Sequence, residues 1–214
     1  MRALAALFAL PLLSAASPGN APSFSCSGNL SLSERAICDE PELSAWDRAI
    51  ALLYPVGRKS EILTISQQRE WLASRNKCGA DKACLRQSFQ IWPGYPGVGF
   101  GVGQRFVRPS KTDDANMTIL PIGAGWYSFS IQAIHIVTDK RGRFLTANEG
   151  GTEGVVLIAG GKGHFSTEPG DEFSCEIDFI RSRNGWLLKD NGQCGGLNVT
   201  LTGNYRPFRA GQRI

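Results

Sequence analysis

The spacing of apolar residues changes part-way along this chain, and that change constrains the fold more than any single motif. Up to Trp92 the apolar positions recur at helical intervals; from Gly123 onward they alternate with polar ones. Leu43, Trp46, Ile50 and Leu53 form one stripe, widened by Tyr54. Ser31-Leu32-Ser33-Glu34 fits a capping box and starts a short helix running to about Ile37. Asp39 is expected to cap a second helix with Pro41 in its first turn, where a missing N–H costs nothing. Pro55 and Gly57 should end it. Ser60 should open a third helix, with Ile62, Ile65, Trp71 and Leu72 sharing a face and Gly79 just past its end. Asp81 should cap a fourth, with Leu85, Phe89 and Trp92 inward.

In the second half, Tyr127, Phe129, Ile131 and Ala133 alternate with polar residues. So do Phe173, Cys175, Ile177 and Phe179, and then Leu197, Val199, Leu201 and Tyr205. Phe144 to Ala147 and Val155 to Ile158 add shorter strands. The fold class expected is α+β in two domains: a small disulfide-stapled helical hairpin domain, then an antiparallel all-β sandwich or barrel.

The domain boundaries follow. Residues 1–16 read as a secretory signal peptide: Arg2, an apolar stretch from Ala3 to Leu13, and small residues at Ser14 and Ala16 before a cleavage point. The apolar stretch is shorter than the roughly 20 residues a membrane span needs. Ser23-Phe24-Ser25 before Cys26 is not a lipobox. Residues 25–92 form the helical domain, 93–115 a Gly/Pro-rich connector, and 116–214 the β-domain, with two independently folding units divided between Trp92 and Asn116. The connector aromatics either pack locally or, with Trp92, line a binding groove formed by Trp92, Tyr95, Phe100 and Phe106.

Export places the six cysteines in an oxidising compartment, periplasmic or extracellular, where disulfides are the default. An Asn184-Gly185 hairpin turn, with Arg183 opposite Trp186, sets Cys175 across from Cys194. That register also puts Asp190 opposite Phe179, which calls for a bulge or a strand end. In the helical domain, Cys26–Cys38 and Cys78–Cys84 close short loops. Cys38–Cys78 with Cys26–Cys84 is the rival pairing, because a hairpin centred near residue 58 sets 38 and 78 level. Cys38, at the junction of two helices, would fix their angle.

The formal net charge of +4 includes Arg2, so the exported chain carries +3. Residues 26–90 hold nine Lys/Arg against eight Asp/Glu, and residues 111–214 eleven of each. No basic stripe marks a nucleic-acid partner. No Cys-x2-Cys pair suggests a metal, and His135 and His164 are not spaced as ligands. Gly-x-Ser-x-Gly is absent, GGKGH lacks the P-loop Ser/Thr, and Glu168, Asp171 and Glu172 read as an exposed turn. His135 reads as a core or rim histidine and His164 as a loop residue. These readings predict neither catalysis nor a cofactor.

Residues 25–92 resemble the LprI-type lysozyme-inhibitor family. The likeness is carried by Cys26, ERAIC (34–38), PEL-x-x-x-D (41–47), Tyr54, QQREWL (67–72), SRNKC (74–78) and Cys84-Leu85. The resemblance implies an exported, disulfide-stapled helical module that in some members inhibits lysozyme. Its signature residues here are Asp47, Gln68, Trp71 and Arg75, read as structural rather than binding, with Asp47 paired to Arg69 across the hairpin. DNGQCGGLNVTLTGNYRP (190–207) looks like the closing strands of β-modules in other exported bacterial proteins. The expected function is therefore non-enzymatic: binding and inhibition of lysozyme or a related cell-wall hydrolase. Glycan or peptidoglycan binding is the alternative.

Overall fold

A computed structural model describes residues 20–95 and 101–209. The leader and Phe100 lie outside them. Four helices, α1 (Leu32–Asp39), α2 (Pro41–Lys59), α3 (Ile65–Asn76) and α4 (Lys82–Gln90), precede eight strands. The Ser31 capping box is present, the Ser31 hydroxyl accepting from Glu34 N and the Glu34 carboxylate from Ser31 N. Asp81 caps α4 through the N–H groups of Ala83 and Cys84.

Three helix boundaries differ from the sequence reading. Asp39 completes α1, and α2 starts from Glu40, with no side-chain cap but with Pro41 in its first turn. Helix α2 continues through Pro55 to Lys59. Pro55 and Ala51, the residue whose carbonyl loses its donor, both lie on the exposed side, where water can serve that carbonyl. Helix α3 begins after Thr64, in a second capping box with Gln67, while Ser60 ends α2. The later start leaves Ile62 and Ile65 exposed, and only Trp71 and Arg75 of α3 are buried.

The sulfurs pair Cys26–Cys38, Cys78–Cys84 and Cys175–Cys194. Cys38 sits in the last turn of α1 but ties down the preceding segment. The α1–α2 corner is held instead by the Ser44 hydroxyl donating to the Ile37 carbonyl at 2.7 Å.

The strands are β1 (Gln104–Arg108), β2 (Ala115–Gly123), β3 (Trp126–Thr138), β4 (Phe144–Leu157), β5 (Lys162–Ser166), β6 (Glu176–Ser182), β7 (Gly185–Asp190) and β8 (Gly203–Pro207). The first of them lies inside the segment read as connector. The order β4-β3-β2-β1-β8-β7-β6-β5 makes one antiparallel sheet in which β8 returns to β1. The sheet curls into an up-and-down half-barrel. Along the β4/β5 seam the bridge between Ala159 and Lys162 sits at the connecting turn. Phe106, Met117, Phe129, Ile131, Ile177, Phe179, Trp186, Leu188 and Tyr205 fill the interior.

Strand β4 unites two segments expected to be separate. Gly151 and Gly154 lie between them, and a side chain there would collide with Ile131 O and the Phe165 ring, so glycine lets the strand run on through a crowded sheet. Phe173 and Leu197, expected inward, are exposed, and residues 191–202 form a loop rather than a strand.

The β6–β7 register is shifted by two residues from the expected one. Arg181 faces Trp186, Phe179 faces Leu188, and the turn is Arg183-Asn184. A shift of two preserves which face each side chain occupies. Asp190 is thereby moved from Phe179 to the strand end opposite Ile177. The turn after it takes up the two residues, so Cys175 and Cys194 still meet, with Cα atoms 4.6 Å apart.

Asp190 gathers the 191–202 loop by accepting from Thr200 Oγ1 at 2.8 Å, Leu201 N at 3.1 Å and Thr202 N at 3.1 Å, and from the Thr202 hydroxyl. Burial opposes its charge, but these donors together outweigh burial and hold its carboxyl below the usual range. A depressed folded-state pKa contributes stability above the unfolded value, lost as pH falls through the folded one. Asp190→Asn is expected to cost about 2 kcal/mol at pH 7, and the difference should shrink below about pH 4. Denaturant titrations at pH 7 and pH 3 check this.

The helices pack on the outer face of β2, β3 and β4. Ile122 and Val155 are buried in the same cluster as Trp46, Leu53 and Phe89. Arg48 Nε donates to Ile122 O at 2.9 Å, and Gln90 Nε2 to Thr167 O at 2.7 Å.

Candidate functional site

Every signature residue of the helical module points inward. The Asp47 carboxylate accepts from Ser23 N at 2.7 Å and Ser23 Oγ at 2.5 Å, and lies 3.6 Å from Arg75 Nη1. Arg75, not the exposed Arg69, is its cationic partner. Burial lowers the Arg75 pKa, and Asp47 opposes that effect. The guanidinium also lies 5.4 Å from the centre of the Trp71 ring. Trp71 Nε1 donates to Ser88 O, and Trp92 Nε1 to Gln68 Oε1, each at 2.8 Å. Trp92 and Tyr95 are fully buried in this core, and Phe106 lies in the separate barrel core. The structure therefore does not bring Trp92, Tyr95 and Phe106 together as one groove.

The two histidines each meet an aspartate. His135 Nδ1 lies 2.5 Å from Asp113 Oδ1, half-buried at the rim. That hydrogen bond, with a second from Thr112, holds the Asp113 carboxyl below its ordinary range. His164 Nδ1 lies 2.9 Å from Asp178 Oδ1 across the β5–β6 pair, in solvent. All six cysteines are in disulfides. Glu168 and Asp171 lie on an exposed turn, where Asp171 accepts from Phe173 N. Among the described residues no group of three His, Cys, Asp or Glu side chains is placed to hold a metal ion.

A cleft of about 970 Å³ lies at one mouth of the barrel. Antiparallel pairing turns alternate residues of each strand toward it. Gln104 and Phe106 on β1, Ile119 and Pro121 on β2, Tyr127 on β3 and Trp186 on β7 share the inward face. Tyr127 and Trp186 meet edge to face at 6.2 Å and make an aromatic floor in which Tyr127 is half-buried and Trp186, 4% exposed, lies beneath. Arg181 continues the inward row of Ile177 and Phe179, and its guanidinium lies 5.7 Å from the centre of the Trp186 ring. Arg183 stands on the β6–β7 turn, Arg206 on β8 and Arg209 just beyond it.

These four arginines line the cleft, and among the described residues no aspartate or glutamate does. Like charges grouped on low-dielectric walls focus a field that attracts anions. Barrel mouths with apolar linings and a few convergent polar groups are common ligand sites. The cleft can therefore receive an anion that also carries an apolar or sugar face.

Sequence reasoning missed this site because the arginines are spread over residues 181–209 and each half of the chain is nearly balanced in charge. One signal was present: Arg181 extends an apolar alternation directly before a turn, where a cation on the inward face has no core role. No protein-family model, curated protein or solved structure matches the chain.

Proposed function

We propose that this chain is an exported, non-enzymatic binding protein of the cell envelope, and that its barrel mouth binds peptidoglycan. The observation that supports this reading is the mouth itself: four arginines, with no Asp or Glu among the described residues that line it, around an aromatic floor. Peptidoglycan offers both complements, sugar faces for the rings and free carboxylates for the guanidinium groups. Three disulfides suit an oxidising compartment, and no helix among the described residues is long and apolar enough to cross a membrane.

The test is co-sedimentation of the mature chain with insoluble peptidoglycan. The wild type is expected in the pellet at micromolar protein, and Arg181→Gln with Arg183→Gln should bind at least about tenfold more weakly. Retention should fall as salt rises, because exposed charges are screened over about 8 Å at physiological ionic strength. A pellet free of wild-type protein would remove the proposal.

Inhibition of a lysozyme-class hydrolase through the helical module is the second reading. It is favoured by the resemblance over residues 25–92 and by the exposed Leu52, Val56, Ile62 and Ile65 around the end of α2 and the start of α3. The arginine-lined mouth would repel a basic lysozyme, so any such contact belongs to the helices. Turbidity clearing by several lysozyme types, with and without the mature chain, decides it. Unchanged rates across all types would exclude inhibition.

A further inference from the structure

We infer that the barrel mouth recognises free carboxylates of its ligand, with Arg181 and Arg183 as the reading groups and the half-buried Tyr127, backed by Trp186, as the surface for an apolar or sugar face. This rests on the reading of the mouth as the peptidoglycan site and adds which part of that polymer is held. Arg181 carries the inference furthest. It lies on the inward face of β6, its guanidinium beside the Trp186 ring. A guanidinium held near an indole by cation–π attraction keeps its N–H groups available as donors. Among the described residues no ion pair neutralises Arg181, Arg183, Arg206 or Arg209.

The contrast with the other arginines of the fold is informative. Arg75 lies beside Asp47, Arg86 is bidentate to Glu42, and Arg143 pairs with Asp139. Arg108 donates to the carbonyls of Thr202 and Asp113. These arginines are supplied with acceptors by the chain, whereas the exposed Arg35, Arg69 and Arg141, scattered over the surface, have no ion pair among the described residues. Those at the mouth face a cleft that offers no acceptor from Asp or Glu among the described residues.

A neutral chitin-type oligosaccharide would engage the aromatic floor but leave four cations uncompensated. A ligand with two or more anionic oxygens would engage both surfaces. Guanidinium forks match carboxylate geometry in a bidentate way, and phosphate shares that chemistry. In peptidoglycan the carboxylates belong to the peptide stem.

Calorimetry on the mature chain tests this with four soluble probes: a muramyl tripeptide with free carboxylates, its methyl esters, N,N′-diacetylchitobiose and phenyl phosphate. The free acid is expected to bind at least about tenfold more tightly than the ester or the neutral disaccharide. Its affinity should fall with rising salt, and that of the ester should not. Arg181→Gln and Arg183→Gln should each weaken the acid by about tenfold and leave the ester unchanged. Arg143→Gln, on an exposed turn away from the mouth, should change neither. These side chains are exposed, so loss of the fold is not expected, and far-ultraviolet circular dichroism checks it.

Equal affinity for acid and ester, or unchanged affinity in both mouth variants, would overturn the inference. Tight binding of phenyl phosphate without the tripeptide would overturn it in favour of a phosphate-bearing ligand. Co-sedimentation with peptidoglycan that ignores the acid/ester difference would refute carboxylate reading and leave the peptidoglycan proposal standing. Acid-selective binding without co-sedimentation would do the reverse.

Discussion

Truncating Trp46 to alanine is expected to lower folding stability by about 4 kcal/mol, within the range for large aromatic truncations in a packed core. Trp46 is 1% exposed and sits at the centre of the helical core. It stacks on Phe89 at 6.2 Å and meets Tyr95 edge to face at 5.5 Å. Phe89 in turn touches Trp71 at 5.8 Å, so the four rings join α2, α3, α4 and the start of the connector. The same core includes Ile122 and Val155 of the barrel, so the cavity would also loosen the contact between the two halves. Marginal stabilities of about 5–15 kcal/mol make such a loss conspicuous. Denaturant unfolding followed by near- and far-ultraviolet circular dichroism measures it. A change below about 1 kcal/mol would mean that the neighbouring rings collapse into the space, contrary to the packing expected of this core.

Replacing both Cys175 and Cys194 by alanine is expected to cost about 3 kcal/mol in the chain-entropy model, from a loop closed over a separation of 19 residues. The same model gives about 2 kcal/mol for Cys78–Cys84, whose separation is 6. The ordering can be checked by thermal and denaturant unfolding of the two double variants. The 175–194 bond also holds the start of β6 to a loop that delivers Val199 and Leu201 to the barrel interior. Its removal should therefore raise amide exchange over residues 191–202 before the helices respond. Equal losses from the two variants would show that local strain, rather than loop length, sets their contributions.

The position of the helical module bears on the proposed site. It occupies the outer face of β2, β3 and β4, and none of its residues lines the mouth. The module therefore leaves the arginine-lined cleft open, and the two halves can present separate surfaces.

Much of the architecture was legible in residue order. The i, i+3, i+7 stripe from Leu43 to Leu53 located α2 and its buried face, and odd-numbered alternation located the inward faces of β3 and β6, because local periodicity is imposed by backbone geometry alone. Close sequence spacing also suggested which cysteines meet. Boundaries were less legible. Whether Pro55 ends a helix depends on whether the carbonyl four residues earlier can reach water, which is a tertiary fact. Whether glycines break β4 depends on what crowds Gly151 and Gly154 from neighbouring strands.

The partner of Asp47 was misread for the same reason. Arg69 and Arg75 lie on one helix, and only packing turned Arg75 toward the core and left Arg69 in water. The β6–β7 register slipped by two residues, yet the faces survived, since a strand repeats every two. The candidate site was decided almost entirely by the tertiary structure. Residues 181–209 carry their arginines on two strands, a turn and a terminal segment, and only the return of β8 to β1 with the curl of the sheet gathers them at one mouth. Periodicity is a property of a chain's own backbone and can be read from one segment at a time. A charge cluster is a property of distances between segments, and those exist only once the barrel has curled.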